Sequence, residues 1–190
     1  MKSSFDFIAS VLGLIILSPI FIIISLLIKF DSPGPIFYRG ERVGLNGKKF
    51  KILKFRTMVQ NAEKIGASST SEEDPRLTRI GKILRKYKLD EFPQLINILK
   101  GEMSFVGTRP EVPEYVKLYD NEMLATLLLP AGITSFASIE YKNEAELLNG
   151  VNIDDIYINK ILPEKMKINL KYLNDISILQ DIKIMLKTII

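Results

Sequence analysis

Between Phe7 and Ile28 the chain reads FIASVLGLIILSPIFIIISLLI, 22 residues without a charged side chain. A helix needs about 20 apolar residues to cross a hydrocarbon core, so this run is long enough for a membrane segment. It outlasts the apolar core of about 7–15 residues found in a cleaved signal peptide, and no small-x-small cleavage site follows it. A helix buried in a soluble core is the plain alternative. Ser18 and Pro19 stand at its middle. Proline has no N–H and its ring crowds the preceding turn, so a kink is expected there. A kinked helix can still span. It can also enter one leaflet and return to the face it left, with Ser18 helping to satisfy the loosened carbonyls. Lys2 and Lys29 flank the two ends and do not choose between these topologies.

The remaining chemistry is bounded by what is missing. In 190 residues there is neither His nor Cys. A thiolate nucleophile, an imidazole base and a Cys/His zinc site are therefore excluded, and chemistry rests on carboxylates, hydroxyls, Lys or Arg. Any metal would meet oxygen ligands, which favours Mg²⁺ or Mn²⁺. The net charge of +4 suits an anionic partner: nucleic acid, anionic lipid or a phosphorylated substrate.

After the apolar run, DSPGPIFYRGERVGLNGKKFKILKFRTM opens on turn residues and continues as two β-like runs around Asn46-Gly47, the pattern of a hairpin. Its cations, Lys54 and Arg56 among them, alternate with aromatics and fit either a nucleic-acid face or a solvated strand beside a membrane. The small, polar stretch from Val59 to Asp74 reads as a mobile loop. From Pro75, Ile80, Leu84 and Tyr87 share one helical face while Arg79, Lys82 and Lys86 follow another.

The segment KLDEFPQ then sets Asp90 and Glu91 side by side before Pro93. A second helix is expected to begin at Asp90, with Pro93 in its first turn and Gly101 as its stop. Asp is a preferred N-cap, which is a sufficient structural reason for Asp90. The same place suits chemistry, since a carboxylate can attack phosphorus and a neighbouring one can hold a metal against a diphosphate. Just beyond, the Gly-punctuated GEMSFVGTRPE displays Arg109, whose planar fork matches phosphate, although a surface ion pair would explain it too.

DEFPQLINILKGEMSFVGTRPE, preceded by DPRLTRIGKILRK and KFRTM, resembles the core of the bacterial sugar transferases known as monotopic phosphoglycosyl transferases. The likeness runs from Ser18-Pro19 to LQDIKIMLKT near the C-terminus, and the length resembles the minimal members. The resemblance implies transfer of phospho-sugar from a UDP-sugar to polyprenol (undecaprenyl) phosphate, releasing UMP, through a covalent phosphosugar-aspartate. By motif position Asp90 would be the nucleophile and Glu91 its metal-binding partner, with Mg²⁺ as cofactor and Mn²⁺ as a substitute. Lys54 and Arg109 would line the phosphate site, with Arg76 and Arg85 as weaker candidates. Ser18-Pro19 matches the family's re-entrant helix break, which implies residues 1–30 as a re-entrant membrane helix and 31–190 as a catalytic domain on the cytoplasmic face of the bacterial inner membrane. The fold implied is α/β-like, an α+β arrangement that is mainly helical with a small β-hairpin or sheet and amphipathic helices at the interface. Partners would be the UDP-sugar, polyprenol phosphate, membrane lipids and downstream glycosyltransferases, and no nucleic acid.

The pattern departs in two places. Thr108 stands where Pro is common, and GITSFASIEYKNE places Lys142 at an Arg position. Lys keeps the charge and loses the planar fork, so a contact to phosphate or uridine there is less specific. The sugar is not fixed, an N-acetylated amino or deoxy sugar being the expectation. A membrane-anchored basic binding module and an inactive subunit of a glycan-assembly complex are the alternatives, and retention of Asp90, Glu91 and Arg109 argues against both.

Overall fold

The computed structural model describes residues 2–62, 74–144 and 153–189. Most of the loop expected at 59–74 lies outside the described residues. Helix α1, Lys2–Asp31, is long and apolar enough to cross a membrane. It is built inside out: Asp6 and Ser10 are buried against the rest of the protein, while Phe7, Ile8, Ile15, Ile16, Ile22 and Ile23 face outward. Large apolar side chains on an outer face need a nonaqueous partner.

At Ser18-Pro19, where a kink is expected, the helical backbone is not interrupted. The chain runs as one helix through both residues, and the reason is local. Proline at 19 cannot donate to the carbonyl of Ile15, four residues back. The Ser18 hydroxyl donates to that carbonyl instead, at 2.8 Å, so the orphaned acceptor is satisfied without opening the helix.

The body packs along α1 from one end to the other. At the N-terminus Lys2 pairs with Asp181, and the Asp6 carboxylate accepts the backbone N–H of Phe105 at 3.4 Å. Midway, Leu14 and Leu17 pack on Ile52, Leu95, Ile98 and Met103. Toward the C-terminus Phe21, Ile24 and Ile28 meet Phe55 and Leu84. Buried Arg56 then closes the helix, donating to the carbonyls of Ser32 at 2.7 Å and Pro33 at 2.6 Å.

Strands β1, Phe37–Val43, and β2, Lys49–Phe55, form the expected antiparallel hairpin. Asn46 and Gly47 take positive φ in its loop, the conformation for which Asn-Gly is suited. Helix α2, Arg79–Lys86, is capped by Thr78 and buries Leu84. Tyr87, expected on the packed face, is exposed, because α2 ends before it and Lys88 turns the chain in the left-handed region.

A short 3₁₀ turn, Leu89–Glu91, follows, and helix α3 spans Gln94–Leu99. The helix expected to start at Asp90 therefore starts four residues later, and no side chain caps it. The turn drops Leu89 and Phe92 into the cluster with Phe55 and Leu84, which directs the carboxylates between them toward β2. Gly101, with positive φ, ends the helix as expected.

Strand β3, Met103–Val106, pairs in parallel with β4, Ala131–Thr134. Between them lie helices α4, Pro113–Val116, and α5, Asn121–Ala125, the crossover that a parallel pair requires. The C-terminal part comprises α6, Phe136–Glu140, α7, Ile153–Ile156, a π-helical turn at Tyr157–Ile161, α8, Leu162–Leu173, and α9, Ile178–Ile189. The fold is thus mainly helical with small sheets, as the sequence implied.

Asn97, fully buried, fastens α3 to β2. Its Oδ1 accepts from Leu53 N–H at 2.9 Å and its Nδ2 donates to Lys51 C=O at 2.9 Å and to Glu102 at 2.7 Å. Replacing Asn97 by Leu keeps the volume and strands a buried N–H and C=O, at a cost of about 2–4 kcal/mol. A thermal-shift measurement is expected to show a drop of several degrees; an unchanged midpoint would show that α3 is held by apolar packing alone.

Candidate active site

Alternation along β2 sends Lys54 to the face opposite Leu53 and Phe55. There its ammonium donates to Glu91 Oε1 at 2.8 Å. Arg109, in the loop after β3, donates through Nη2 to the same oxygen at 2.6 Å and through Nη1 to Oε2 at 3.3 Å. One carboxylate thus carries two cations from two distant segments. Glu91 and Lys54 keep only 17% and 19% of their side chains exposed, whereas Arg109 keeps 37% and remains open on one side.

The Arg109 loop can approach because two glycines touch. Gly132 donates to the carbonyl of Thr108 at 2.9 Å, and Gly107 to that of Thr134 at 3.0 Å. A Cβ on Gly132 would lie 2.1 Å from the Gly107 nitrogen, and one on Gly107 would lie 2.3 Å from the Pro130 carbonyl oxygen. No larger residue fits either place without moving backbone. A small cleft opens beside this loop, lined by Val43, Gly44, Arg109, Glu111, Tyr119 and Leu129 among others.

Asp90 is buried at 8% exposure. Among the described residues its carboxylate accepts no hydrogen bond and forms no direct ion pair. Burial pushes its pKa above the ordinary 3.8, Glu91 adds to the rise, and the charges of Lys54, Arg85 and Arg109 pull it back. Arg85 is held for this role by Thr57, whose Oγ1 accepts its Nε–H at 3.2 Å. Glu91 has the opposite fate. Burial raises it, but Arg109 and Lys54 together hold it well below 4.5. Burial lowers Lys54 and the Glu91 charge opposes that, while Glu91 holds Arg109 above its ordinary value. The pair expected as two ionised neighbours is therefore split in character: Glu91 is neutralised by partners, and Asp90 is an anion under strain from burial.

Of the residues singled out from sequence, Asp90, Glu91, Lys54, Arg85 and Arg109 come together. Arg76 is engaged elsewhere: it is buried and forks onto Asp74, with Nε–Oδ1 at 2.9 Å and Nη2–Oδ2 at 2.6 Å. Lys142 is exposed in the turn after α6, and no contact with the Glu91 cluster appears among the described residues. Residues not singled out include Thr57, which steadies Arg85, and Glu111, whose charge acts on Arg109. Both lie inside motifs already quoted, and strand alternation alone would have separated the roles of Lys54 and Thr57.

These charges give opposite contributions to stability. The lowered Glu91 contributes stability that is present above pH 4.5 and is lost as pH falls through its lower folded value. Glu91→Gln is expected to cost about 2 kcal/mol at pH 7, less than a fully buried pair because Arg109 is partly exposed, and to flatten the acid limb of a melting-point-against-pH curve. Asp90 is raised, so its favourable contribution exists only at low pH and is lost as pH rises. Asp90→Asn is accordingly expected to stabilise the protein at pH 7 by about 1 kcal/mol, a few degrees in melting temperature. A fall instead would mean that the ionised carboxylate is a structural group.

The family model of the bacterial sugar transferases matches residues 1–190, the whole chain. Exopolysaccharide production protein ExoY of Sinorhizobium fredii is 39% identical over 172 residues, covering 83% of this chain and 76% of that protein. UDP-N-acetylgalactosamine-undecaprenyl-phosphate N-acetylgalactosaminephosphotransferase of Aeromonas hydrophila is 35% identical over all of this chain and 43% of its own length. UDP-glucose:undecaprenyl-phosphate glucose-1-phosphate transferase of Escherichia coli is 35% identical, again over all of this chain and 39% of its own length. With the motif residues gathered at one place and the match unbroken from end to end, the chain belongs to the bacterial sugar transferase family.

Proposed function

We propose that this chain transfers a sugar phosphate from a UDP-sugar to polyprenol phosphate, with Asp90 as nucleophile. The observation that carries the reading is the Asp90 carboxylate, buried among the charges of Lys54, Arg85 and Arg109 and without a hydrogen bond among the described residues. An anion left uncompensated by contacts is a better nucleophile than one held by donors, and the cations nearby suit a diphosphate.

In the first half-reaction an Asp90 oxygen attacks the phosphorus that bears the sugar. The bond from that phosphorus to the bridging oxygen breaks, and UMP leaves with the electron pair. In the second, a phosphate oxygen of polyprenol phosphate attacks the same phosphorus. The acyl phosphate bond breaks, Asp90 regains its carboxylate, and polyprenol-diphosphate-sugar departs. Lys54 and Arg109 bind the charge that builds on the phosphoryl oxygens, and Arg85 compensates Asp90 between the two steps.

A hard divalent cation fits the donor set. Mg²⁺ commonly takes one or two carboxylates and completes its shell with phosphate oxygens and water. Asp90 is unengaged and Glu91 Oε2 carries only the longer Arg109 contact, 3.3 Å, so these two would hold it. Among the described residues no group of three acidic side chains is placed to bind a metal without substrate. When bound, the ion would neutralise diphosphate charge.

Helix α1 supports a membrane-bound, monotopic placement. It is about 45 Å long at 1.5 Å per residue, more than the roughly 30 Å of a hydrocarbon core. Yet both its ends pack on the same body, at Lys2–Asp181 and at Ile28 with Phe55. A helix crossing to the far side would carry one of those ends away from its partners. The outward apolar face therefore lies in one leaflet, with both ends on the cytoplasmic side where UDP-sugars are found. Leu179, Ile182 and Leu186 present a second exposed apolar face on α9, suited to the interface.

The catalytic reading is tested by UMP release from UDP-N-acetylgalactosamine, UDP-glucose and UDP-galactose with Mg²⁺. Without polyprenol phosphate, the wild type is expected to release about one UMP per enzyme and stop, the burst of a covalent intermediate. Asp90→Asn is expected to abolish the burst, and Glu91→Gln to raise the Mg²⁺ needed for half-activity. A full burst in Asp90→Asn would remove the nucleophile assignment. Placement is tested in this Cys-free chain with single cysteines near Lys2 and beyond Lys29. Both are expected to resist an impermeant reagent outside intact cells, and outside labelling of either would establish a spanning helix.

A further inference from the structure

We propose that Lys165 and Tyr157 form a buried cross-brace that fixes the loop bearing Arg109 relative to the turn bearing Lys142, and so act as positioning residues for the UDP-sugar. The proposal rests on the transferase reading for its substrate and on geometry alone for the brace.

The two side chains are nearly closed to solvent, at 5% for Lys165 and 7% for Tyr157. Lys165 donates to Glu144 Oε2 at 2.7 Å and to the Tyr157 hydroxyl at 3.4 Å, and its ammonium stands 5.2 Å from the Tyr157 ring centre. The Tyr157 hydroxyl in turn donates to Glu111 Oε1. Glu111 follows Arg109 by two residues, and Glu144 follows Lys142 by two. One buried cation thus reaches both the Arg109 loop and the Lys142 turn through one carboxylate in each. The Glu111 backbone carbonyl also accepts Val43 N–H at 3.0 Å, so the chain of contacts continues into the hairpin that carries Lys54.

Local backbone geometry makes the meeting possible. Residues 157 and 165 would lie about 80° apart around a regular α-helix of 3.6 residues per turn. The π turn at Tyr157–Ile161 rotates less per residue and brings them nearer one face. Tyr115 packs its ring on that of Tyr157 at 5.1 Å, steadying the phenol from the other side. Burial, and then the Glu111 charge, push the Tyr157 phenol upward, so it remains a proton donor to Glu111. None of these groups touches Asp90 or Glu91, so the arrangement acts through the loops. The 141–144 turn is also tied to α8 by the exposed Tyr141–Glu164 hydrogen bond, which leaves the turn attached when Lys165 is changed.

The brace is tested by amide hydrogen exchange on the full chain in detergent, comparing residues 107–111 with 142–144. Lys165→Met is expected to speed exchange in both segments, Tyr157→Phe only in the first and Glu144→Gln only in the second. A general loss of stability would not sort the segments in this way. If Lys165→Met leaves either segment unchanged, or all three variants speed both equally, there is no brace. Tyr157→Phe and Glu144→Gln keep packing intact and decide the matter should Lys165→Met fail to fold. For function, Lys165→Met is expected to raise the donor KM and the calorimetric Kd for UDP about tenfold with kcat within about threefold, the pattern of lost uniform binding. A fall in kcat at constant KM, or no change in either, overturns the positioning role. Absence of UMP release by the wild type would instead defeat the transferase reading, and exchange together with UDP titration would still judge the brace.

Discussion

The Glu91 carboxylate is where the architecture converges. Its two oxygens take Lys54 from the hairpin and Arg109 from the loop after β3, segments 55 residues apart in sequence. For Lys54 this anion offsets burial, which by itself lowers the ammonium's pKa. Asn97 presses the following helix onto β2, the Gly107–Gly132 contact lets the Arg109 loop come close, and the 3₁₀ turn aims the acid. Remove that anion and these separate devices lose their common purpose. Asp90, one residue earlier, is left outside the bargain, surrounded by positive charge it does not touch. Adjacent carboxylates are thereby held differently, one tied to two cations and the other without a direct partner among the described residues.

Much of this was legible in the sequence because it is written in short range. The Asn46-Gly47 hairpin, the apolar run and the Gly101 stop depend on backbone chemistry within a few residues, and all three appear. The grouping of Asp90, Glu91, Lys54, Arg85 and Arg109 came from resemblance, since no periodicity relates residues on a strand, a turn and a distant loop. Where the reading went astray, tertiary packing had overruled a local preference. Asp90 looked like a cap, yet burial of Leu89 and Phe92 required a tighter turn, and the helix waited until Gln94. The parallel pairing of β3 with β4 had no local signature at all, because its partners lie 28 residues apart.

Arg76 illustrates a different limit. The family resemblance offered it as a weaker candidate for phosphate, and composition cannot distinguish a guanidinium offered to a ligand from one already committed. In the fold it is spoken for by Asp74, whose carboxyl it holds down at about 2. Arg56 is similar, a cation just after β2 that spends its donors on the carbonyls of Ser32 and Pro33 beyond the end of α1. Counting positive charges in such a sequence overstates what remains for substrate.

Arg56 also has a mechanical meaning. It follows Lys54 by two residues on the same stretch of chain, and the one grips the end of α1 while the other grips Glu91. Asp31, the last residue of α1, accepts the N–H of Ile80 at the head of α2, the helix that carries Arg85. Through Arg56 and Asp31, α1 is thus tied to the two segments that carry Lys54 and Arg85 beside Asp90. Under the proposed placement of α1 in one leaflet, the Asp90 carboxylate would keep a constant altitude above the acyl chains, as a float sets the height of a gauge. A long-chain lipid phosphate could then meet it at headgroup level while its tail stays dissolved.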